Sequence, residues 1–409
     1  MSAADARQAD LQKASRRPEL DVIRVLVVVG LVFFHSALVF DTRDDYYVKN
    51  AQTTGAPTIL AALAVVWAMP MLFLIAGVGS WHSLRRRGAA GFTKERLRRL
   101  GVPLVFATLT IIPIPQWLRL RAADPGYHES YPRFLVRFFD VRPDPGDFPF
   151  VLSGEYFETG HLWFVVLLLT FSLLLAPLAR WSPRRWKHEI RERLSSAAGR
   201  RGAALLPALP VAVVCALVGL EEPFAGWSRW AYLLFFLYGF VLATDERFRV
   251  AVRRDAPMAA VVGAGLFLAG LPAFLAVGDA GGDPFTDMSP LATGARTLYG
   301  LAGWCWLVAI IGLLDRRRAG GEDKDAAADG RRPARGRRLY GYLAAAVLPL
   351  YILHQPIVVA VAYGVVGWDA PIVVKYAAIV AISLALTVAA YDLLVRRTRV
   401  TRFLFGARD

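Results

Sequence analysis

Cysteine is scarce in this chain: Cys215 and Cys305 are the only two in 409 residues, and each stands inside a long apolar run. A pair so placed supports neither a disulfide framework nor a paired-cysteine metal site. Histidine is also sparse, six in all, with no pair at i and i+4 and no His-Glu-x-x-His run. No metal site is therefore expected. A Gly-x-Ser-x-Gly elbow is missing as well, which leaves a Ser-His-Asp hydrolase without its usual nucleophile turn. Acidic residues are fewer than basic ones, 33 against 48, giving a formal charge of +15. No module of interleaved basic and aromatic residues accompanies that excess, so no nucleic-acid partner is expected.

What the chain has in abundance is apolar sequence. Hydrophobic residues make up 56% of it and the mean hydropathy is +0.41. They gather into runs long enough for a helix to cross a hydrocarbon core of roughly 30 Å. About ten such runs fall at 20–40, 58–81, 101–118, 161–179, 203–220, 229–244, 257–277, 298–314, 340–363 and 371–395. The fold class is thus an all-α, polytopic membrane helix bundle. Pro103, Pro113 and Pro115 interrupt the third run and predict a kinked helix there.

Charge gives an independent check on the topology, since Lys and Arg favour the cytoplasmic side of a membrane. Alternate segments, from the N-terminus through 82–100, 180–202, 245–256 and 315–339 to the C-terminus, hold 37 of the 48 basic residues, and the intervening ones hold 9. Both termini are predicted to be cytoplasmic. The first run is too long for a signal-peptide core and lacks a clear cleavage site, so it is expected to remain as a helix.

The organisation that follows is a cytoplasmic tail at 1–19, a membrane domain at 20–395 and a second cytoplasmic tail at 396–409. The outer loop 119–160 mixes apolar and polar residues in YPRFLVRFFDV before GEYFETGHLWF. It is either a short helix over an outward-facing cavity or a plain surface loop. In the inner loop 180–202, Trp186, Ile190 and Leu194 recur at helical spacing among cations, which suits an interfacial amphipathic helix. The inner loop 315–339 is rich in Gly, Ala and charge without periodicity and reads as a flexible linker.

Ionisable side chains inside a membrane span are costly unless paired or hydrated, which singles out Arg24, His35 and His354. Arg24 and His35 lie eleven residues apart, a helical turn of 1100° and a rise of roughly 16 Å, so they share one face at different depths. Arg24 alone reads as a snorkelling cation or a partner of Asp21. His35, His161 at the start of the fourth run and His354 in YILHQP reach a similar outer depth. Histidine suits general-base work near neutral pH. Near them, Glu158 and Trp163 are candidates for acceptor binding or support, although Trp163, Phe164 and Tyr156 read equally as interfacial anchors. On the inner side Arg96 and Arg99 stand at helical spacing within FTKERLRRLGVPL, where guanidinium forks suit phosphate groups.

Taken in order, RPELDVIRVLVVVGLVFFH, MPMLFLIAGVGS, FTKERLRRLGVPL, HLWFVVLLL and YILHQP resemble the acyltransferase family 3 integral membrane proteins over about residues 18–395. HLWF and YILHQP are most similar to the glucan biosynthesis protein C-like members, which succinylate periplasmic glucans. The resemblance implies a multi-pass protein of the cell (inner) membrane that moves an acyl group, of acetyl or succinyl type, from cytoplasmic acyl-CoA to a hydroxyl of an extracytoplasmic glycan. No bound cofactor is implied, since acyl-CoA is the donor substrate. Arg24 and His35 match the family's first-helix Arg and His, and Arg96, Arg98 and Arg99 its cytoplasmic arginine cluster. The appended periplasmic domain of some relatives is not expected here. The alternative reading is a transporter or flippase of a glycan or lipid, whose signature is broken helices near the midplane. A structural partner in an envelope complex would leave Arg24 and His35 without a purpose.

Overall fold

The computed structural model describes residues 18–325 and 334–407, so the tail before Pro18, the centre of the 315–339 linker and the last two residues lie outside it. Among the described residues seven helical stretches are long and apolar enough to cross a membrane: Leu20–Leu38, Ala56–Ala123, Gly160–Trp181, Glu246–Asp279, Pro290–Arg317, Ala345–Val365 and Ile372–Val395. The protein is a multi-pass helical membrane protein. Its count of long stretches differs from the ten apolar runs for two reasons. The second and third runs share the stretch Ala56–Ala123, and the fifth and sixth fold as shorter helices, Ala203–Leu217 and Arg229–Leu242.

The first of those differences is resolved by one glycine. Helices α1 (Pro18–Leu38) and α2 (Ala56–Val65) precede α3 (Ala68–Arg96), inside which Gly88 takes φ 67° and ψ 176°. That conformation is open essentially to glycine alone. Arg96 then donates to the Ser80 hydroxyl at 3.0 Å, and the Ser83 hydroxyl donates to Glu95 at 3.1 Å. In a straight helix residues 80 and 96 would stand about 24 Å apart. The chain therefore folds back at Gly88, and the long stretch is two arms. The returning arm passes through a wide π-helical turn at Leu97–Gly101 into α4 (Val102–Thr110), breaks at Ile111, and resumes as α5 (Pro113–Ala123). The proline-rich third run is kinked for the reason the sequence suggests.

In the 119–160 loop, α6 (Tyr131–Phe138) buries Phe134 and Phe138, with Trp117 Nε1 donating to the Glu129 carbonyl beside it at 3.2 Å. A two-residue ribbon, β1 (Arg142–Pro143) with β2 (Leu152–Ser153), is the one sheet among the described residues. The chain then continues through α7 (Trp163–Trp181), α8 (Arg184–Ala197), α9 (Ala208–Leu217), α10 (Arg229–Leu242), α11 (Glu246–Asp279), α12 (Pro290–Asp325), α13 (Ala334–Val365), α14 (Ile372–Ala390) and α15 (Arg399–Leu404). Trp186, Ile190 and Leu194 form an exposed stripe on α8, as an interfacial helix requires.

Close packing fixes the bundle around these helices. α3 and α10 meet backbone to backbone: a Cβ on Gly239 would stand 1.8 Å from the Leu74 carbonyl oxygen, and one on Gly77 2.0 Å from that of Phe236. Small residues at such a crossing are the usual basis of helix association in lipid. α11 and α12 form an extended pair with α9 lying on α12. The buried Arg296 of α12 donates to the Cys215 and Ala216 carbonyls at 3.1 and 3.3 Å, satisfying the C-terminal carbonyls of the short α9. α1 packs on α13 and α14 while also touching α2 and α3. This placement brings the histidines of α1 and α13 together.

Candidate active site

A cavity of about 500 Å³ runs along α1, touching Leu26, Gly30, Phe34, His35 and Leu38 on one helical face. Its other walls come from the α2–α3 junction, residues 158–161, residues 222–225, and Tyr351 and Gln355 of α13. Its end nearest Arg24 is formed by Leu26 and Val27, the latter just under one turn from Arg24. The loop helix α6 does not line it; the 119–160 segment contributes Arg119, Glu158, Thr159 and Gly160 instead. A short helix does form there, but away from the cavity.

His35, His161 and His354 converge at this cavity. The His354 ring lies 5.3 Å from that of His35 and 5.1 Å from that of His161, centre to centre. His35 and His161 line the cavity, whereas His354 is fully buried behind them. The local sequence explains how two of the rings are held. Pro356 has no N–H to give to the carbonyl of Ile352, four residues back, so that carbonyl is left over from the α13 ladder. His161 Nε2 takes it at 3.0 Å, while His354 Nδ1 lies 2.6 Å from the Tyr351 carbonyl. Because a carbonyl can only accept, neutral His161 carries its proton on Nε2 and neutral His354 on Nδ1. The opposite nitrogens, His161 Nδ1 and His354 Nε2, are buried without a partner, as is His35 Nδ1. Gln355 Oε1 accepts from the His161 backbone N–H at 3.3 Å, and the Tyr351 hydroxyl donates to the His161 carbonyl.

The cavity's polar wall holds Asp44, Asp45, Tyr46, Tyr47, Glu158 and Arg119. Tyr47 donates to Glu158, and burial pushes the Glu158 carboxyl above its ordinary range. Arg119 pairs with Asp45. Trp163 shows one edge to the cavity but is chiefly core, packed on Tyr232 at 5.3 Å and Phe224 at 5.5 Å. Among the described residues no group of three or more His, Cys, Asp or Glu is arranged to hold a metal ion.

At the other end of α1, Arg24 meets Asp21 at 3.4 Å and donates to the Ile75 carbonyl at 3.3 Å. Its guanidinium also lies 3.6 Å from the place of a Cβ on Gly79, next to the Ser80 that Arg96 binds. Arg24 and Arg96 therefore end on adjoining residues of α3. Arg99 bonds Glu95 at 3.3 Å, and Arg87 reaches the same carboxylate at 3.4 Å. Arg98 differs: it is exposed and lies over the Phe403 ring, 5.9 Å away, on α15. Of the three cluster arginines, the fold brings Arg96 beside Arg24, ties Arg99 to Glu95 and turns Arg98 elsewhere.

Asp44, Tyr46, Tyr47 and Glu222 were not legible as cavity residues, because their loops carry no periodicity to place them, and Gln355 of α13 gave no sign of which way it faces. For the histidine pair a signal was available: proline two residues after His354 announces a free carbonyl one turn back.

The geometry defines a class: a multi-pass helical membrane protein with a histidine cluster over a cavity and a guanidinium cluster at the far end of the same helix. The family model described as an acyltransferase domain, acyltransferase family 3, matches residues 17–392, and the chain belongs to that family of acyltransferases. Curated relatives include glucans biosynthesis protein C of Salmonella gallinarum, 22% identical over 178 residues, covering 42% of this chain and 41% of the relative. The protein of the same name from Escherichia coli O6:K15:H31 is 26% identical over 161 residues, 39% of this chain and 38% of its own. The chain thus spans about two fifths of the length of the curated relatives it matches. No solved structure matches it.

Proposed function

We propose that this protein is a membrane-bound O-acyltransferase that moves an acetyl- or succinyl-type group from cytoplasmic acyl-CoA to a hydroxyl of an extracytoplasmic glycan. The observation that carries this reading is the cavity along α1, which is lined by His35 and His161 and extends down to Val27, just under one turn above Arg24. In it the chain crosses the inner membrane ten times with both termini cytoplasmic, in keeping with the alternation of basic segments. The two arms of the Gly88 hairpin and the short helices α9 and α10 supply the crossings beyond the long stretches.

Arg24, Arg96 and Arg99 hold the donor's phosphates and the entrance of its pantetheine arm, with Arg98 left to the surface. The thioester then lies along the face of α1 leading to His35. His35 removes the proton from the acceptor hydroxyl as its oxygen attacks the thioester carbonyl. The tetrahedral adduct collapses, the carbon–sulfur bond breaks, and the thiolate recovers the proton, giving an ester and free CoA thiol. His354 is assigned a positioning role: its ring stands 5.3 Å from that of His35, centre to centre, and backs it as it takes up the proton. Fixing both reactants in one cavity supplies the proximity part of the acceleration.

Transfer by the purified protein tests the reading. With radiolabelled acetyl-CoA or succinyl-CoA and a glucan oligosaccharide, labelled oligosaccharide is the expected product. Absence of transfer and of donor hydrolysis, together with glycan movement across proteoliposomes, would put the transporter reading in its place.

A further inference from the structure

We propose that the mouth of the cavity selects an uncharged acceptor and turns away an anionic one, an inference that rests on the transferase reading above. Four carboxylates line the cavity, Asp44, Asp45, Glu158 and Glu222, against one guanidinium, Arg119. Counting Glu158 as protonated still leaves a formal excess of two negative charges. Arg119 is itself committed to Asp45 at the rim.

Other cations near the mouth are engaged elsewhere. Lys49 Nζ is held by the Leu38 and Asp41 carbonyls at 2.9 and 2.5 Å. Arg43 pairs with Asp279 at 2.7 Å, and Arg229 with Glu221 and Asp147 at 2.9 and 2.8 Å. None of these three lines the cavity. Asp44 is raised to about 6 by burial, partly offset by Lys49, so it remains mostly charged at neutral pH. Glu222 faces it closely enough to add to that rise.

A second observation points to a hydroxyl-bearing ligand. His161 and Tyr46 line the cavity, each more than nine-tenths buried, and His161 Nδ1 and the Tyr46 hydroxyl make no well-formed hydrogen bond within the protein, with the Gln355 side chain near both. Neutral sugar hydroxyls can both donate to such atoms and accept from them, and they can donate to the Asp44 carboxylate. A carboxylate or phosphate ester can only accept, and it meets a like-charged wall of low dielectric where repulsion is strong.

The test compares two acceptors that differ only in charge: a neutral gluco-oligosaccharide, and the same oligosaccharide with one primary hydroxyl oxidised to a carboxylate. Acetyl-CoA and succinyl-CoA serve as donors to the full-length protein in detergent. The neutral acceptor should be preferred by about tenfold in kcat/KM, a preference that 0.5 M salt narrows. The Asp44→Asn, Glu222→Gln double variant should cut it to about a third. Equal use of the two acceptors by wild type at low salt overturns the proposal, and so does a preference that neither salt nor the double variant changes. Should neither acceptor be acylated and no donor be hydrolysed, the transferase reading fails and the proposal falls with it.

Discussion

Pro356→Ala should make the protein more stable and less active, and both signs come from one carbonyl. Proline inside a helix costs about 3 kcal/mol relative to alanine, through the lost hydrogen bond and the clash of its ring with the preceding turn. Here part of that cost is already offset, because the Ile352 carbonyl accepts from His161 at 3.0 Å. Alanine would therefore recover only about 1–2 kcal/mol, a rise of a few degrees in Tm. The restored N–H would compete for the Ile352 carbonyl and loosen His161 by about 1 kcal/mol, close to fivefold in transfer rate. Thermal unfolding in detergent and transfer kinetics on one preparation measure both. A fall in Tm, or a raised Tm with an unchanged rate, would refute the link between Pro356 and the placement of His161.

Three further outcomes are expected. A cysteine replacing the exposed Arg200 should react with an impermeant maleimide only from the cytoplasmic side, the buried Cys215 and Cys305 staying silent; labelling from outside would reverse the topology and the donor side. Arg99→Ala should weaken acyl-CoA binding about tenfold and Arg99→Lys recover only part of it, because an ammonium cannot reproduce a two-pronged contact; equal affinity in all three would reduce the cluster to its role in orientation. Gly239→Ala should lower stability by more than about 3 kcal/mol, since its Cβ would stand 1.8 Å from a backbone oxygen, and a wild-type Tm would show that α3 and α10 do not pack as described.

Much of the helical architecture is legible in the sequence because a membrane imposes a simple rule: apolar runs of sufficient length become helices. The convergence of His35, His161 and His354 follows from equal depth on helices that prove to be neighbours. Equal depth alone does not say which ring faces the cavity, however, and His354 turns out to sit behind the other two. Glycine-dependent geometry was less accessible. Nothing local distinguishes Gly88, where the chain reverses, from Gly91, which lies in continuous helix. The arginine cluster shows a similar limit, since helical spacing of Arg96 and Arg99 anticipates their common face but the wide turn at Leu97–Gly101 and the docking of α15 decide where Arg98 goes. Loop residues such as Asp44 and Glu222 gain meaning only once the helices have brought their loops to one mouth.

Whether His35 takes the acceptor's proton is decided by steady-state transfer by His35→Gln. Glutamine keeps the polarity and approximate size of the ring but cannot take up a proton near neutral pH. Donor binding should persist and the transfer rate should fall by about 10² to 10⁴, the usual range for general-base assistance. A His35→Gln protein that transfers acyl groups at the wild-type rate would contradict that role.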